Sequence, residues 1–169
     1  VVTPVCAEQK YKGKTLRIVL CNYEVPISKV LAPEFEKRTG AKVELYDAPF
    51  GELFEKIMTS LITRSGTYDL AGPSYDWVGA YVPYLIPLDD YLAKTPEIPM
   101  DDYVPNFINR GRLNKRGVND PKGKLYCFPF DGDVWVLFYR KDLFQKENIK
   151  IPETWEEVVK ASKHFTRDW

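Results

Sequence analysis

Residues 16 to 21, LRIVLC, form a short apolar run rich in β-branched residues, and the segments around it decide the fold. Such a run is typical of a buried β-strand. It is followed by a helical apolar spacing that ends at Gly40, by the alternating run KVELY at residues 42 to 46, by a second amphipathic helix and by a short strand at residues 68 to 71. This order predicts an α/β fold with a mainly parallel sheet and helices on both faces.

The second helix has the clearest periodicity in the chain. Its apolar residues recur at intervals of three and four, which places them on one face of a helix that packs against the sheet. The members of this apolar stripe are Phe54, Ile57, Met58, Leu61 and Ile62.

Each loop after a predicted strand carries an aromatic residue and a polar or acidic one. A single loop of this kind is typical of a solvated turn, but ligands of open parallel sheets bind at the carboxyl ends of the strands. We therefore predict a binding site where the three loops meet. Its candidate residues are Asn22 and Tyr23 after the first strand, Asp47 and Phe50 after the second, and Asp76 and Trp77 after the third.

A second informative stretch is GKLYCFPFDGDVWVLFYRKDLF, residues 123 to 144, in which Asp131, Gly132 and Asp133 separate two apolar runs. In the second run, residues 134 to 140, both side-chain parities are apolar, which is typical of a strand covered on both faces. The residues between the runs fit either a simple turn or a pair of carboxylates held at a functional position. The local sequence leaves both interpretations open.

Composition excludes several classes of partner and cofactor. The 169 residues include 24 basic and 24 acidic side chains, without a long block of either sign. Nucleic acid and anionic membranes both require a concentrated positive field, so we do not expect nucleic acid as a partner. The three cysteines are scattered and no metal-ligand or phosphate-loop spacing is present, so we expect no metal and no cofactor.

The first seven residues, VVTPVCA, predict an exported protein. They are uncharged, and Val5-x-Ala7 fits the small-residue pattern that precedes a signal-peptide cleavage site. A lipid anchor on Cys6 and an unstructured terminus are the alternatives. Cys21 and Cys127 each end or lie within a predicted strand, so a disulfide between them and two buried free thiols are both compatible with the sequence.

Near the end of the chain, Thr154-Trp155-Glu156-Glu157 predicts a capping box that begins a helix. Little of the chain is left to cover the apolar face of this helix, so we expect the sequence to be an N-terminal portion of a longer protein. The residues predicted to be buried by the helix are Trp155, Val158, Val159, Ser162 and Phe165.

An ordered set of short motifs resembles the extracellular solute-binding proteins of ABC importers, in particular the sugar-binding group that includes the maltose-binding proteins. The resemblance runs from about Leu16 to the last residue, and the order of the motifs is more specific than any one of them. The motifs are EFEKRTG at residues 34 to 40, YDL at 68 to 70, PLDDY at 87 to 91, GKLY at 123 to 126, YRKDLF at 139 to 144 and PETWEE at 152 to 157.

The resemblance implies a fold of two α/β lobes that close on a ligand by a hinge movement. It divides the chain into a leader remnant or disordered N-terminus over 1–13, a first periplasmic-binding-protein-like lobe over 14–130, and the hinge crossing with the beginning of a second α/β lobe over 131–169. It also implies a receptor that binds a sugar or oligosaccharide in the periplasm or outside the cell and delivers it to ABC permease subunits. Such a receptor is a monomer when full length and is not an enzyme.

In the family, ligand contacts come from the loops after the first and third strands and from an acidic position in the crossing segment. Carboxylates at such positions accept bidentate hydrogen bonds from adjacent hydroxyls, and charge-assisted bonds of this type contribute about 1.5–3 kcal/mol each. Asp131 and Trp135 flank the acidic position and are secondary candidates. The positions that the resemblance assigns to ligand contact are Asn22, Tyr23, Asp76, Trp77 and Asp133.

Two alternatives remain at this stage. The first is a receptor for a cationic small molecule such as a polyamine, because several acidic residues with aromatic neighbours would make an acidic cleft. The second and more remote one is a glycoside hydrolase that uses Asp131 and Asp133 as a carboxylate pair. The acidic residues of the first alternative are Glu24, Asp47, Asp76, Asp131 and Asp133.

Overall fold

The computed structural model of the chain describes residues 9–132 and 136–166. The chain divides into two compact units, one that ends at Gly132 and one that begins at Asp133. The finer division proposed from the sequence, with a first lobe over 14–130 and a crossing from 131, stays a prediction.

Three parallel strands form the sheet of the first unit: β1 (Thr15–Cys21), β2 (Lys42–Ala48) and β3 (Leu70–Ala71). β1 lies in the middle, between β2 and β3. The connecting helices are α1 (Val25–Thr39) and α2 (Phe50–Thr63), and right-handed crossovers in this strand order place them on opposite faces. The predicted α/β fold with a parallel sheet and helices on both faces is confirmed.

The core of the first unit lies between the sheet and α2. The α2 residues of the predicted stripe pack there, except that Ile62 is 58% exposed. Alternate residues of β1 point to opposite faces of the sheet, and Val19 and Cys21 are on the face that packs against α2. The fully packed members of this cluster are Val19, Cys21, Ala48, Leu53, Ile57 and Tyr81.

The α1 helix presents most of its apolar residues to solvent. It ends where Gly40 adopts a φ of 76°, as predicted from its place after the last helical turn. Its buried residues are Val25 and Ser28. The apolar spacing therefore predicted the helix but not the face that the sheet covers. The exposed apolar residues are Ile27, Val30, Leu31 and Phe35.

Short elements complete the first unit. A two-stranded antiparallel sheet pairs β4 (Arg112–Leu113) with β5 (Lys124–Leu125), which takes up only the start of the apolar run that precedes Asp131. Three short helices precede β5 in the chain. The bounds are Tyr75–Tyr81 for α3, Asp89–Leu92 for α4, Pro105–Arg110 for α5, Arg112–Leu113 for β4 and Lys124–Leu125 for β5, with 3₁₀ turns at Val82–Tyr84 and Met100–Asp102.

The α3 helix makes an unusually close backbone contact. A Cβ added to Gly79 would overlap the carbonyl oxygen of Gly117, and a Cβ added to Gly117 would overlap the carbonyl oxygen of Gly79. Gly117 also has a φ of 74°, in the left-handed region that favours glycine. The contact fixes α3 against the turn that joins β4 to β5.

Asp89 ties α4 to the β4–β5 hairpin. Its Oδ1 accepts a hydrogen bond from Arg112 Nη1 at 3.0 Å, and its Oδ2 accepts one from the Leu125 backbone N–H at 3.0 Å. Partial burial acts to raise the pKa of Asp89, but the hydrogen bonds from Arg112 and Leu125 outweigh it, so the pKa is lowered. The folded state therefore stabilises the ionised carboxylate.

We expect Asp89→Asn to lower the free energy of unfolding by about 1–2 kcal/mol at neutral pH, because one carboxylate oxygen becomes an amide donor that faces another donor. Since the folded-state pKa lies below the unfolded one, this stabilisation is present at neutral pH and is lost as pH falls through the folded-state pKa. Urea unfolding at neutral and acidic pH measures both effects. Asp90→Asn, at the exposed neighbouring position, is the matched control, and equal losses in the two variants would contradict the assignment.

The second unit contains α6 (Lys141–Lys146) and α7 (Trp155–Phe165). The predicted capping box is confirmed, since Glu157 N–H donates to Thr154 Oγ1 at 3.3 Å and Thr154 N–H donates to Glu157 Oε2 at 3.2 Å. The rings of Phe144 and Phe165 pack with their centroids 5.0 Å apart and hold α6 to α7.

Two predictions for this part of the chain are wrong. Residues 136 to 140 form no strand, and Phe138 among them is 90% exposed. A strand requires a hydrogen-bonded neighbour, and the described residues of the second unit offer none. In α7, Trp155 is 81% exposed and Val159 is 53% exposed instead of buried, because no element among these residues covers that face.

Candidate functional site

The loops after the three strands meet at one edge of the sheet. Asn22 N–H donates to the carbonyl of Ala48 at 3.0 Å, which joins the ends of β1 and β2. Gly72 N–H donates to the carbonyl of Val19 at 2.9 Å, which holds the segment after β3 to β1. We call this edge, with the loops that follow β1, β2 and β3, the rim.

Tyr23 is the most prominent side chain after β1, with 60% of its surface exposed. Desolvation, followed by the electrostatic effects of Cys21, Glu24 and Asp131, raises its pKa to about 12. Asn22, beside it, is exposed, and its Oδ1 accepts a hydrogen bond from the Cys21 thiol at 3.5 Å.

Tyr75 begins α3 and connects the rim to α5. Its hydroxyl donates to the carbonyl of Phe107 at 3.3 Å, and the guanidinium carbon of Arg110 lies 5.4 Å from its ring centroid. Desolvation and Cys127 raise the pKa of Tyr75 to about 12, with a lowering contribution from Arg110 and a further raising one from Asp131. Asp131 thus contributes to the raised pKa of both Tyr23 and Tyr75.

Asp76, the next residue of α3, is paired with Arg110. Its Oδ1 lies 3.3 Å from Arg110 Nη2, and the two side chains are 77% and 57% exposed. The sequence predicted Asp76 but missed its partner and also missed Tyr75 as a site residue. Tyr75 could have been found in the loop that was singled out, whereas Arg110 lies 34 positions from Asp76 and no local pattern connects the two.

Trp77 and Phe50 form the aromatic part of the rim. Their ring centroids are 4.7 Å apart, and Trp77 also packs edge-on against Phe54 at 5.8 Å. Trp77 is therefore partly a core residue, since it packs against the cluster under α2. Phe50 is 49% exposed and presents the more accessible ring.

Asp47 lies inside β2, which runs to Ala48, so the loop predicted at this position is wrong. It pairs in register with Leu20, while Ala48 pairs with Cys21. Because alternate residues point to opposite faces, Asp47 is exposed on the face opposite the Ala48 cluster. Asp133 and Trp135 lie outside the described residues.

Gly132, the residue after Asp131, packs against the side chain of Phe107. A Cβ added to Gly132 would lie 2.7 Å from Cζ and 2.8 Å from Cε2 of Phe107. The ring of Phe107 therefore packs directly against the backbone beside Asp131, and the carbonyl of the same residue holds the Tyr75 hydroxyl. The contact therefore holds the backbone that follows Asp131 against the same residue that accepts the Tyr75 hydrogen bond.

Within residues 9–132 and 136–166, no group of three or more His, Cys, Asp or Glu side chains is arranged to hold a metal ion. In the same residues no helix has the length and apolar character needed to cross a bilayer. Cys21 and Cys127 are free thiols, so the structure has no disulfide between them. The rim offers carboxylate acceptors, hydroxyl and guanidinium donors and aromatic faces, a combination suited to hydroxyl-bearing ligands.

Comparison with solved structures shows close similarity of fold. A solute-binding protein of an ABC transporter from Agrobacterium radiobacter, in complex with ribitol, is 29% identical with a TM-score of 0.70 over 93% of this chain and 39% of that one. A solute-binding protein from Agrobacterium vitis with bound D-mannitol is 26% identical with a TM-score of 0.65, over 91% of this chain and 36% of that one.

Curated relatives give a similar picture. A mannitol-binding protein of Pseudomonas aeruginosa is 27% identical over 121 residues, which is 68% of this chain and 25% of that protein. A probable amino-acid ABC transporter periplasmic-binding protein of Sinorhizobium fredii is 26% identical over 133 residues, or 75% of this chain and 29% of that protein. The chain thus spans well under half the length of these relatives.

The family model described as bacterial extracellular solute-binding protein matches residues 23–168 of the chain. The match covers most of the first unit and nearly all of the second. It includes every predicted site residue except Asn22, which directly precedes it. The chain belongs to the family of bacterial extracellular solute-binding proteins, which is a family of binding proteins.

Proposed function

We propose that the whole protein is an extracytoplasmic receptor that captures a sugar or sugar alcohol and delivers it to the permease of an ABC importer. The observation that carries the proposal is the rim itself, where the ends of β1, β2 and β3 meet and present the exposed Tyr23 and the Asp76–Arg110 pair. The ribitol and mannitol in two similar structures support a hydroxyl-rich ligand.

The side chains at the rim have complementary parts in this proposal. Asp76 and Asp131 accept hydrogen bonds from ligand hydroxyls, and Tyr23 and Asn22 add groups that both donate and accept. Phe50 and Trp77 supply apolar ring faces for the C–H side of the ligand. Asp133 and Trp135 complete the set in the crossing segment, and Asp47 is an outlying candidate.

Closure of two lobes about that crossing is the proposed capture mechanism for the whole protein. The proposal places the first lobe at 14–130 and the crossing and start of the second at 131–169. The receptor acts as a monomer in the periplasm or outside the cell, either free or anchored through Cys6. It binds without catalysis, and its partners are the ligand and the permease subunits.

Two other ligand classes are tested by the same experiment. A polyamine would be attracted by the carboxylates of the rim, and the amino-acid periplasmic-binding protein of Sinorhizobium suggests an amino acid. A polyamine accounts for the guanidinium of Arg110 next to Asp76 less directly than a neutral polyol does, because an ammonium group beside Arg110 is repelled. An amino acid would place its carboxylate on Arg110 and its ammonium group on Asp76, so the titration decides between it and a polyol.

Isothermal titration calorimetry of the full-length protein tests the proposal. The ligands are ribitol, D-mannitol, maltose, spermidine and a mixture of L-amino acids. We expect at least one of the carbohydrates to bind with a Kd of about 10 μM or tighter, as several charge-assisted hydrogen bonds would provide. Binding of spermidine or an amino acid with no heat from any carbohydrate would overturn the proposal. Release of product from an aryl glycoside would instead favour the hydrolase.

A further inference from the structure

Among the ion pairs recorded within residues 9–132 and 136–166, Asp76–Arg110 is the one that contains a predicted site residue. The partners come from different elements, α3 and α5, and are 34 positions apart in the chain. More than half of each side chain is exposed, so a ligand at the rim can reach both groups.

The position of Arg110 is defined by more than the ion pair. Its guanidinium also lies over the ring of Tyr75, a weakly favourable cation–π arrangement, while the Tyr75 hydroxyl is held by Phe107. α5 is itself fixed at its end, because a Cβ on Gly111 would lie 3.2 Å from the Cys127 sulfur. The donor fork of Arg110 therefore stands at a defined place beside Asp76.

The pair has a chemical preference that neither group has alone. A carboxylate only accepts hydrogen bonds and a guanidinium only donates them. A hydroxyl group can donate to Asp76 and accept from Arg110 at the same time. An ammonium group gains from Asp76 and is repelled by Arg110, and a phosphate or carboxylate ligand gains from Arg110 and is repelled by Asp76.

We propose that Arg110 is a specificity-determining residue that, together with Asp76, selects neutral hydroxyl-bearing ligands over cations and anions. The proposal rests on the proposed function and adds a residue and a selection rule to it. Without Arg110 the rim would keep the carboxylates of Asp76 and Asp131 and lose the cation beside them. Its preference would then shift toward cationic ligands.

The test compares Arg110→Met, Arg110→Lys and Arg17→Met in the full-length protein by calorimetry with D-mannitol, ribitol, spermidine and glycerol 3-phosphate. Arg17 is the matched control, because it pairs with Asp69 at 3.4 Å with both side chains 40% exposed, toward the amino ends of the strands and away from the rim. Arg110→Met should weaken polyol binding about tenfold and raise the affinity for spermidine relative to the affinity for polyols. Arg110→Lys should lose polyol affinity without gaining spermidine affinity, because the charge remains and the fork is lost.

The outcomes separate this inference from the proposed function. If wild type binds a polyol and Arg110→Met changes no affinity by more than Arg17→Met does, the inference is overturned and the proposed function stands. If wild type prefers spermidine or glycerol 3-phosphate to every polyol, both are overturned. A tenfold loss confined to Arg110 variants, with the shift toward spermidine in the methionine variant, supports the inference.

Discussion

Replacing Gly79 with alanine is expected to lower the free energy of unfolding by about 3 kcal/mol. The added Cβ would overlap the carbonyl oxygen of Gly117. The backbone fixes the position of the Cβ and the oxygen is itself a backbone atom, so no side chain can rotate away. α3 would have to move, and α3 carries Tyr75, Asp76 and Trp77. We therefore expect weaker ligand binding in the same variant.

Gly51 provides the matched control, because it is also a glycine within a helix. A Cβ added to Gly51 meets no atom within 4 Å. Gly51→Ala should therefore leave the free energy of unfolding unchanged or raise it by up to about 1 kcal/mol, because alanine has a higher helix propensity than glycine. Urea unfolding of both variants measures the difference, and a Gly79→Ala variant as stable as Gly51→Ala would show that the close contact is absent.

Gly132→Ala is expected to weaken polyol binding about thirtyfold, close to 2 kcal/mol, while leaving most of the stability intact. The new methyl group would lie 2.7 Å from the Phe107 ring, so either the ring or the segment with Asp131 must shift. Because Gly132 is exposed and Phe107 only partly buried, the shift costs the fold little. It does move the Asp131 carboxylate relative to Tyr23 and Tyr75.

The double variant Gly132→Ala, Phe107→Leu distinguishes this steric explanation from a general effect of glycine replacement. Leucine is shorter than phenylalanine and vacates the space that the alanine methyl requires. We expect the double variant to recover most of the polyol affinity, measured by calorimetry in the full-length protein. Additive losses in the two single variants and the double variant would mean that Phe107 and Gly132 act independently.

The sequence predicted the elements whose signals are local. The apolar run of β1, the stripe of α2 and the capping box at Thr154 depend on residues close together in the chain, and each was found at its place. Gly40 similarly ended α1, because the left-handed conformation at a helix end favours glycine. The parallel sheet followed from the order of these elements.

Other features could not be read from local patterns. Helical spacing shows which residues share a face but not what covers it, and the apolar face of α1 and Trp155 of α7 are exposed. The apolar run at residues 136 to 140 resembles a strand only if a neighbour pairs with it. Arg110 was missed because its contact with Asp76 depends on tertiary structure. The roles of Asn22, Tyr23, Asp133 and Trp135 stay predictions.

The strand order of the first unit has a consequence for the time course of folding. All three parallel strands come from residues 15 to 71, so their pairing closes only short loops. Asp131 follows Ala71 by 60 residues, so bringing it to the rim requires a longer loop to close. We expect the β-sheet scaffold to be able to form first, with the rim acquiring its last carboxylate only after α5 and the hairpin have docked.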